Sequence, residues 1–412
     1  MDKLFAVCAP GLEPFLAQEL VELGLPPGKP SSPLSKTGGI EGGPEGGVEF
    51  QGALRDVYRA NLHLRTASRV LVRLGAFDAV GFPELVRKAS RLPWELYLTP
   101  GQPVALRVTC HKSRLYHSDA VAERVARAMG DRLGQLPPLQ KSSEDDETNL
   151  PQLILVRLAH DHCTISVDTS GALLHRRGYR QAVAKAPLRE TLAAGMLMAS
   201  GWDMTSPLLD PFCGSGAIPI EAALMARRIP PGRARHFAFM DWPNFDAAMW
   251  AELLAEEGPH PSPPPFAKNA NRGGNESSLP SQTGVGAMPR ILASDRDAGA
   301  IKSAQANAAR AGVADVIEFS CRAVSAIEPP SGPGWVVTNP PYGVRVSGGR
   351  DLRNLYAQFG NVLRDKCPGW HIAMLCDSAQ LIHNTGLKFD RARSISLVNG
   401  GLKVSLSRGR VR

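Results

Sequence analysis

The spacing of apolar and polar residues predicts alternating strands and helices along the first 168 residues. A strand at residues 4–8 precedes a helix whose apolar side chains recur at helical spacing from Leu12 to Leu23. A helix with four arginines (Arg55, Arg59, Arg65 and Arg69) then leads into a strand around residues 69–74. The same patterns predict a helix at 83–90, a strand at 104–109, a helix at 118–133 and a hairpin of strands 152–158 and 163–168. This mixture predicts an α+β module.

Strands and helices alternate more regularly after residue 169. Periodicity predicts helices at 188–197, 217–226 and 298–311, and short apolar strands at 208–210, 290–294, 316–319 and 335–338. Such alternation is typical of a parallel sheet that is covered by helices on both faces. The predicted fold class is therefore α/β, with a Rossmann-like domain behind the α+β module.

Three domains are expected from the length of 412 residues and from breaks in the pattern. They cover residues 1–50, 51–168 and 169–412. Gly, Pro and Ser dominate residues 26–47 and most of 256–288, and such composition cannot bury enough apolar area to offset chain entropy. We therefore expect a flexible loop in the first domain and a disordered insertion in the third. The acidic stretch 142–149 is typical of a loop tip.

Composition adds expectations about location and metal content. With 43% hydrophobic and 21% charged residues, the chain has the composition of a soluble enzyme. No apolar run reaches the roughly 18 residues of a membrane span, and the first residues lack a signal-peptide pattern, so we expect a cytoplasmic protein without a membrane partner. Seven cysteines without a Cys-x-x-Cys pair predict reduced thiols and no metal site.

Positive charge is concentrated in the N-terminal part of the chain. The net charge is +8, and residues 51–135 contain 14 Lys or Arg against 7 Asp or Glu. A surplus of this kind permits binding to a polyanion. Its position predicts phosphate contacts in the second domain.

The strongest cofactor signal is the turn after the strand at 208–210. In open α/β sheets, ligands bind beyond the carboxyl ends of strands, where glycines let them approach the backbone. A dinucleotide fingerprint would need a glycine at Pro219, and a P-loop would need Gly-Lys-Ser/Thr, so S-adenosylmethionine is the expected cofactor. Asp210 can face its ammonium group, and an ordinary glycine turn is the alternative interpretation. The other predicted contacts in the turn are Phe212, Gly214, Ser215 and Gly216.

A carboxylate also follows the next predicted strand. Asp295 comes just past residues 290–294 and can accept hydrogen bonds from the two ribose hydroxyls of the cofactor. Asp297 is instead expected to cap the following helix, because a carboxylate there meets unpaired amide groups. In the alternative interpretation both residues are caps.

A candidate catalytic tetrad of Asn339, Pro340, Pro341 and Tyr342 follows the strand at 335–338. Adjacent prolines make this loop stiff. An exocyclic base amine is a weak nucleophile, so its hydrogens must be held while its lone pair points at the methyl donor. The Asn339 side-chain oxygen and the Pro340 carbonyl can accept those hydrogens, and alignment of the reactants lowers the barrier. Tyr342 can stack on an extruded base, and a simple turn is the alternative.

A cluster of cations and one aromatic residue precedes the predicted catalytic unit. It consists of His175, Arg176, Arg177, Tyr179 and Arg180. Arginine and tyrosine together suit phosphate contact and base stacking, so RNA contact is expected here. A solvated connector is the alternative.

Several of these motifs, in this order, resemble a known family. The matching segments are 4–6, 11–13, 175–179, 187–193, 210–216, 241–246, 339–343 and 399–400. The chain resembles THUMP-containing class I methyltransferases that form N2-methylguanine, and among them the bacterial 23S ribosomal RNA enzymes. The resemblance implies a ferredoxin-like and THUMP module over residues 1 to about 165 that grips structured RNA, followed by a Rossmann-like methyltransferase. It also implies that Arg189, Glu190 and Thr191 lie on a helix that closes over the methionine end of the cofactor.

The chain departs from this family at one position. Family members carry an aspartate after the third strand for the adenine amine, and Ala323 stands at the matching position. Ser325 is the nearest residue that could substitute. The departure predicts a different adenine contact or weaker cofactor binding.

The resulting hypothesis is S-adenosylmethionine-dependent methylation of guanine N2 in 23S ribosomal RNA. Three alternatives stay open. Transfer RNA is one other substrate, and DNA adenine is another, because Asn-Pro-Pro-Tyr also occurs in adenine-N6 enzymes. The third alternative is a non-catalytic RNA-binding protein with a decayed cofactor pocket, which Ala323 would explain.

Overall fold

A computed structural model describes residues 1–28, 46–141, 150–181, 188–256, 288–343, 351–399 and 401–412. The expected loops at 26–47 and 256–288 fall almost entirely outside the described residues, and the expected loop tip at 142–149 does so completely. The chain divides into two compact units. Unit 1 comprises Met1–Cys8, Leu16–Leu174 and Gly232–Glu256. Unit 2 comprises Ala9–Phe15, His175–Pro231 and Glu257–Arg412.

Strands and helices are interspersed along the described residues of both units. The strands are β1 (Asp2–Cys8), β2 (Gly47–Gly52), β3 (Ala67–Asp78), β4 (Val104–His111), β5 (Gln152–Ala159), β6 (His162–Asp168), β7 (Leu208–Asp210), β8 (Ile291–Asp295), β9 (Ile317–Cys321), β10 (Trp335–Thr338), β11 (His371–Cys376), β12 (Ile395–Asn399) and β13 (Leu402–Arg410). The helices are α1 (Glu13–Glu22), α2 (Leu54–His63), α3 (Phe82–Ala89), α4 (Ser118–Leu133), α5 (Glu190–Ser200), α6 (Ala217–Ala226), α7 (Ala247–Ala255), α8 (Ala298–Arg310), α9 (Arg353–Lys366) and α10 (Ala379–Asn384).

The described residues of unit 1 form a six-stranded sheet with the order β2-β1-β3-β6-β5-β4. The predicted hairpin is confirmed, because β5 and β6 pair antiparallel with Val156 opposite Ile165. The edge strand β4 runs parallel to β5. This arrangement of strands and helices confirms the predicted α+β module.

The prediction that one helix carries Arg55 to Arg69 was wrong in its second half. Helix α2 ends at His63, and Arg69 lies on β3. The Arg69 guanidinium is buried and pairs with the Asp168 carboxylate at 2.5 Å. A tertiary ion pair and the β-branched neighbours Val70 and Val72 thus favour a strand where helical spacing of arginines suggested a helix.

Residues Gly232–Glu256 cluster with unit 1 although they lie far along the chain. The Tyr58 ring stacks on Phe239 with centroids 4.4 Å apart, and the Tyr58 hydroxyl accepts a hydrogen bond from the Asp246 amide at 3.0 Å. The Trp242 indole donates to the Gln152 side chain at 2.8 Å. Buried aromatic contacts of this kind account for the position of the segment, because large rings dominate the free energy of burial.

The described residues of unit 2 form a seven-stranded sheet with the order β12-β13-β11-β10-β7-β8-β9. Strands β7 to β11 are parallel, and the hairpin of β12 and β13 adds antiparallel strands at one edge. The sequence order reverses between the neighbours β7 and β10, and ligands of open α/β sheets bind at such a switch point. The predicted α/β sheet is confirmed, and β7 and β10 have the predicted bounds.

A short segment from near the start of the chain completes the core of unit 2. Leu12 is fully buried, and a Cβ added to Gly195 of α5 would come within 2.6 Å of its side chain. A Cβ at Gly11, where φ is +93°, would collide with the Ser396 carbonyl oxygen of β12. Both glycines therefore allow a close backbone approach that no larger residue would permit.

None of the seven cysteines, all of which lie within the described residues, forms a disulfide, and Cys321 is exposed. Within the described ranges, no helix is both long enough and apolar enough to span a bilayer.

Candidate active site

Asp210 stands at the carboxyl end of β7 and is fully buried. Its Oδ1 atom accepts hydrogen bonds from the Thr338 hydroxyl at 2.7 Å and from the Phe212 amide at 3.2 Å. Burial and, to a smaller extent, the nearby carboxylate of Asp295 raise the pKa of Asp210 to about 7, although these two hydrogen bonds oppose the shift. No Lys or Arg within the described ranges pairs with Asp210. The site therefore presents negative charge that a cationic ligand would stabilise.

Two glycines of the following turn have different surroundings. Gly214 has φ +52°, and a Cβ there would have no atom within 4 Å, so open space adjoins its Cα. Gly216 has φ +90°, and a Cβ there would lie 3.1 Å from the Ala304 side chain. The first glycine leaves room for a ligand, whereas the second lets α6 pack closely on α8.

Asp295, at the end of β8, braces the same turn. One carboxylate oxygen accepts the Gly214 amide at 3.0 Å, and the other accepts the Asp297 amide at 3.0 Å. Asp297 accepts the amides of Gly299 and Ala300 at the start of α8, so its predicted role as a helix cap is confirmed. The Ser294 hydroxyl is buried without a hydrogen-bond partner among the described residues.

The segment of Asn339 to Tyr342 begins directly after β10, and hydrogen bonds from two later parts of the chain hold it in place. The Tyr356 hydroxyl of α9 donates to the Pro341 carbonyl at 3.1 Å. The Asn399 side-chain amide donates to the Tyr342 hydroxyl at 2.9 Å. Tyr342 itself is buried, and burial raises the pKa of its hydroxyl to about 12. Backbone and aromatic ring are therefore both fixed.

The side-chain oxygen of Asn339 is buried and has no hydrogen-bond partner within the described ranges. A buried carbonyl oxygen without a donor costs about 1–3 kcal/mol. Such an atom is usually satisfied by a ligand or by water. Because Thr338 contacts Asp210, this free acceptor lies at the same edge of the sheet as the glycine turn.

The positively charged run before α5 is largely buried. Arg177 and Tyr179 both contact the Glu221 carboxylate of α6, at 3.5 and 3.2 Å. Arg180 lies 3.1 Å from the Glu190 carboxylate. His175 is half-buried beside Arg189 and Arg176, and burial with these charges lowers its pKa to about 3. Three of the residues expected to contact RNA thus form internal ion pairs or hydrogen bonds.

This buried cluster connects to the glycine turn through α8. The Asn307 amide donates to the Ser215 carbonyl at 3.0 Å, and Arg310 donates to the Tyr179 carbonyl at 2.7 Å. Glu190 and Thr191 are buried in the first turn of α5, whereas Arg189 is exposed at its N-cap. Burial raises the pKa of Glu190 to about 7, although Arg180 opposes the shift.

Ala323 and Ser325 are exposed on the turn that follows β9. Ala323 caps a short 3-10 turn, and its carbonyl accepts the Ala326 amide at 2.9 Å. No carboxylate side chain stands at either position.

Sequence reasoning missed three supporting residues, namely Thr338, Tyr356 and Asn399. Thr338 occupies a strand that was predicted correctly, but its partner Asp210 is 128 positions away. Asn399 lies in a matched motif of the family without an assigned role. Tyr356 gives no local signal, because a tyrosine at helical spacing usually packs in a core.

The residues fit S-adenosylmethionine. Its sulfonium and ammonium groups complement the uncompensated Asp210, and the open space beside Gly214 accommodates a ligand close to the backbone. Asp295 keeps acceptor capacity for ribose hydroxyls, since each carboxylate oxygen has a second lone pair. Bound at this turn, the cofactor supplies a methyl group that is activated by a positive sulfur.

A parallel sheet with this strand order, a carboxylate-bearing glycine turn and a rigid Asn-Pro-Pro-Tyr corner define a class I methyltransferase. Comparison with family profiles identifies three parts of the chain. Residues 177–407 match the RMKL-like methyltransferase domain, 43–71 match the RlmL ferredoxin-like domain and 80–168 match the THUMP domain. The chain belongs to the RMKL-like methyltransferase family, and S-adenosylmethionine is its methyl donor. The predicted resemblance is confirmed.

Similar proteins cover nearly the whole chain. A candidate RNA methyltransferase of Synechocystis sp. is 32% identical over 98% of this chain and 95% of its own length. The ribosomal RNA large subunit methyltransferase K/L of Methylococcus capsulatus is 33% identical over 98% of this chain, which spans only 50% of that protein. The crystal structure of SMU.472, a candidate methyltransferase complexed with SAH, superposes with a TM-score of 0.78 at 26% identity, over 100% of this chain and 98% of that one.

Proposed function

We propose that the chain methylates an exocyclic amine of an RNA base, and that this amine is guanine N2 in 23S ribosomal RNA. The observation that carries the proposal is the hydrogen bond between Thr338 and Asp210. It joins the cofactor turn to the corner that presents the unsatisfied Asn339 oxygen. A base amine held by Asn339 would therefore lie next to the methyl donor.

The tetrad has distinct roles in this proposal. Asn339 Oδ1 and the Pro340 carbonyl accept the two amine hydrogens, while the Tyr356 hydroxyl holds the neighbouring Pro341 carbonyl in place. Holding both hydrogens fixes the amine plane and directs the nitrogen lone pair. The Tyr342 ring, oriented by Asn399, stacks on the flipped base.

The choice of RNA is supported by the THUMP match at residues 80–168 and by the positive surplus in residues 51–135. The choice of ribosomal RNA is supported by the name of the Methylococcus relative, of which this chain spans half. The proposal places the protein in the cytoplasm, where ribosomal RNA is modified. For the run of His175 to Arg180, burial supports a role in holding α5 and α6 better than direct RNA contact.

The catalytic role is tested with Asn339→Ala and labelled S-adenosylmethionine. We expect methyl transfer to fall by about 100-fold or more, as for loss of one preorganised polar contact in other enzymes, with unchanged cofactor affinity by calorimetry. Asn384→Ala is the matched control, because the Asn384 side chain accepts an exposed hydrogen bond from Gln380 on α10. A full rate in Asn339→Ala would contradict the assignment.

The substrate is tested with 23S ribosomal RNA, transfer RNA and DNA as acceptors. Nuclease digestion and mass spectrometry of the product should show N2-methylguanosine from 23S RNA. N6-methyladenine, or methylation of transfer RNA alone, would overturn the proposed substrate.

A further inference from the structure

A positively charged cavity of about 480 Å³ lies in unit 2 at the amino end of β11. Its walls include Ser200 and Phe389, and His371 forms part of its lining. Five cationic side chains face it, and we call the whole site the basic cavity. They are Lys388, Arg393, Arg408, Arg410 and Arg412.

The positive charges of the basic cavity are only slightly compensated. Among the described residues, Asp390 is the one acidic side chain in its lining, and it already accepts the Ala392 amide at 3.0 Å and lies 3.3 Å from Arg393. Arg408 donates to the Arg393 carbonyl at 2.7 Å, and Arg410 donates to the Gly369 carbonyl at 2.9 Å. Carbonyl oxygens orient a guanidinium without neutralising it, so the remaining N–H groups stay available for an anion.

The neighbouring groups report the same positive potential. Burial, together with the charges of Arg410 and Arg393, lowers the pKa of His371, and Asp203 opposes the shift. Burial and Arg393 also lower the pKa of Arg408, against Asp390. A bound anion would oppose the part of each pKa shift that the positive charges cause.

Hydrogen bonds and close packing hold the backbone around the basic cavity in place. The Asp390 amide donates to the Arg408 carbonyl at 2.7 Å, and Phe389 bridges to Gly409. A side chain at position 409 would collide with the Lys388 carbonyl oxygen. Gly409 thus lets β13 lie directly against the segment that carries Lys388, which fixes the spacing of the cations.

The basic cavity is separate from the catalytic corner. Strand β11 begins at His371 in the cavity and ends at Cys376, whose sulfur lies 3.4 Å from the Tyr356 hydroxyl that holds Pro341. The five steps of about 3.3 Å from His371 to Cys376 put roughly 17 Å between the two ends of the strand. An anion in the cavity therefore does not take part in methyl transfer.

We propose that the basic cavity binds backbone phosphates of the RNA substrate at a distance from the methylated base. A guanidinium group matches the geometry of a phosphate group and can donate two parallel hydrogen bonds to two of its oxygens. A cavity with five cations and one occupied carboxylate suits consecutive phosphates of one strand. The proposal rests on RNA being the substrate, as proposed above.

The test uses the full chain with Lys388→Gln, Arg410→Gln and Arg412→Gln combined. The matched control combines Arg290→Gln, Arg322→Gln and Arg353→Gln, which removes the same charge from pairs with the exposed carboxylates of Glu318, Glu328 and Asp351. Binding of a labelled ribosomal RNA fragment is measured by anisotropy without cofactor across a salt series. Thermal unfolding confirms that both variants fold, and a second variant with Lys388→Arg, Arg410→Lys and Arg412→Lys keeps the charge.

We expect the Gln variant to bind RNA about 10- to 100-fold more weakly at low salt, with a log–log salt slope reduced by about 2, since each phosphate contact to a single strand contributes about 0.7. Its KM for RNA should rise while kcat and cofactor affinity stay unchanged. The control and the charge-keeping variant should resemble the wild type. Equal losses in the Gln variant and its control, or no loss in either, would overturn the proposal.

Two further arms separate the sources of binding. Inorganic phosphate or poly-glutamate that displaces RNA at an equal concentration of negative charge would identify a general anion site and overturn the proposal. Salt-dependent RNA binding that the Gln variant loses, in a protein that methylates no RNA, would sink the proposed function and leave the cavity supported. If the wild type methylates RNA and the Gln variant keeps the wild-type KM for RNA, the proposed function is supported and the RNA-binding role of the basic cavity is overturned.

Discussion

Thr338 donates its hydroxyl hydrogen to Asp210 at 2.7 Å, and this bond links the ends of two neighbouring strands at the point where the strand order reverses. Asp210 begins the turn that fits the cofactor, and Thr338 precedes the Asn-Pro-Pro-Tyr corner. The two parts of the site therefore share one buried contact. A displacement of either strand end would therefore alter both the cofactor turn and the Asn-Pro-Pro-Tyr corner.

Asp210→Asn should stabilise the protein while abolishing cofactor binding. The pKa of Asp210 is raised to about 7 from 3.8, so its favourable contribution is complete below pH 3.8 and is lost as pH rises through about 7. At pH 8 the free energy of unfolding of the variant should exceed that of the wild type by about 2–4 kcal/mol, given about 1.4 kcal/mol per pKa unit. Urea unfolding at pH 5 and pH 8 checks this, with calorimetry for S-adenosylmethionine. Equal stability at both pH values in the wild type would contradict the role of the buried charge.

Gly214→Ala and Gly216→Ala should fail in different ways. Open space surrounds Gly214, so an alanine there should cost about 1 kcal/mol of backbone strain but reduce cofactor affinity at least about 10-fold. An alanine at 216 meets Ala304 and Ile220, so it should destabilise the fold by about 1–3 kcal/mol. Thermal unfolding and cofactor titration are measured on both variants. The same balance of defects in the two would argue against separate roles.

Asn399→Ala and Tyr342→Phe should have similar and non-additive effects. Each removes the 2.9 Å hydrogen bond between them, which orients the Tyr342 ring. Loss of a neutral hydrogen bond of about 1 kcal/mol corresponds to a decrease of about fivefold in kcat, with the KM for cofactor unchanged. The double variant should be no slower than either single variant. Additive losses in such a cycle would show that Asn399 acts elsewhere.

Arg180→Met should destabilise the protein more at high pH than at low pH. Arg180 compensates the buried Glu190, whose pKa is already about 7. Without Arg180 that pKa rises further, so the loss of about 3–5 kcal/mol at pH 8 should shrink at pH 6, where the carboxyl is protonated. Adding Glu190→Gln should restore most of the stability. Arg353→Met is the control, because its pair with Asp351 is exposed and screened by solvent. A loss independent of pH would show that packing rather than charge is responsible.

Local patterns were sufficient for the strands and turns that carry the site. The apolar run before Asp210 and the one before Asn339 gave the bounds of β7 and β10, because buried parallel strands are short and uniformly apolar. The helix cap at Asp297 followed from the same local chemistry. Periodicity could not predict that Arg69 lies on a strand, because the contact that favours the strand is made with Asp168, 99 positions further along the chain.

Other features depend on contacts between distant parts of the chain. The burial of Arg177 and Tyr179 follows from Glu221, more than 40 positions further on, so composition alone suggested an exposed RNA contact. The aromatic packing that brings Phe239 to Tyr58 has no local signature either. The basic cavity is formed by residues from α5, β11 and β13 and by residues 388–393.

Each unit contains a piece of chain from the other half of the sequence, since unit 2 includes Ala9–Phe15 and unit 1 includes Gly232–Glu256. A gene fragment for residues 175–412 would lack Leu12, whose side chain fills the space beside Gly195. A fragment for residues 1–174 would lack the rings that pack on Tyr58. Recombination at a single point therefore cannot exchange either unit without leaving a gap in its core.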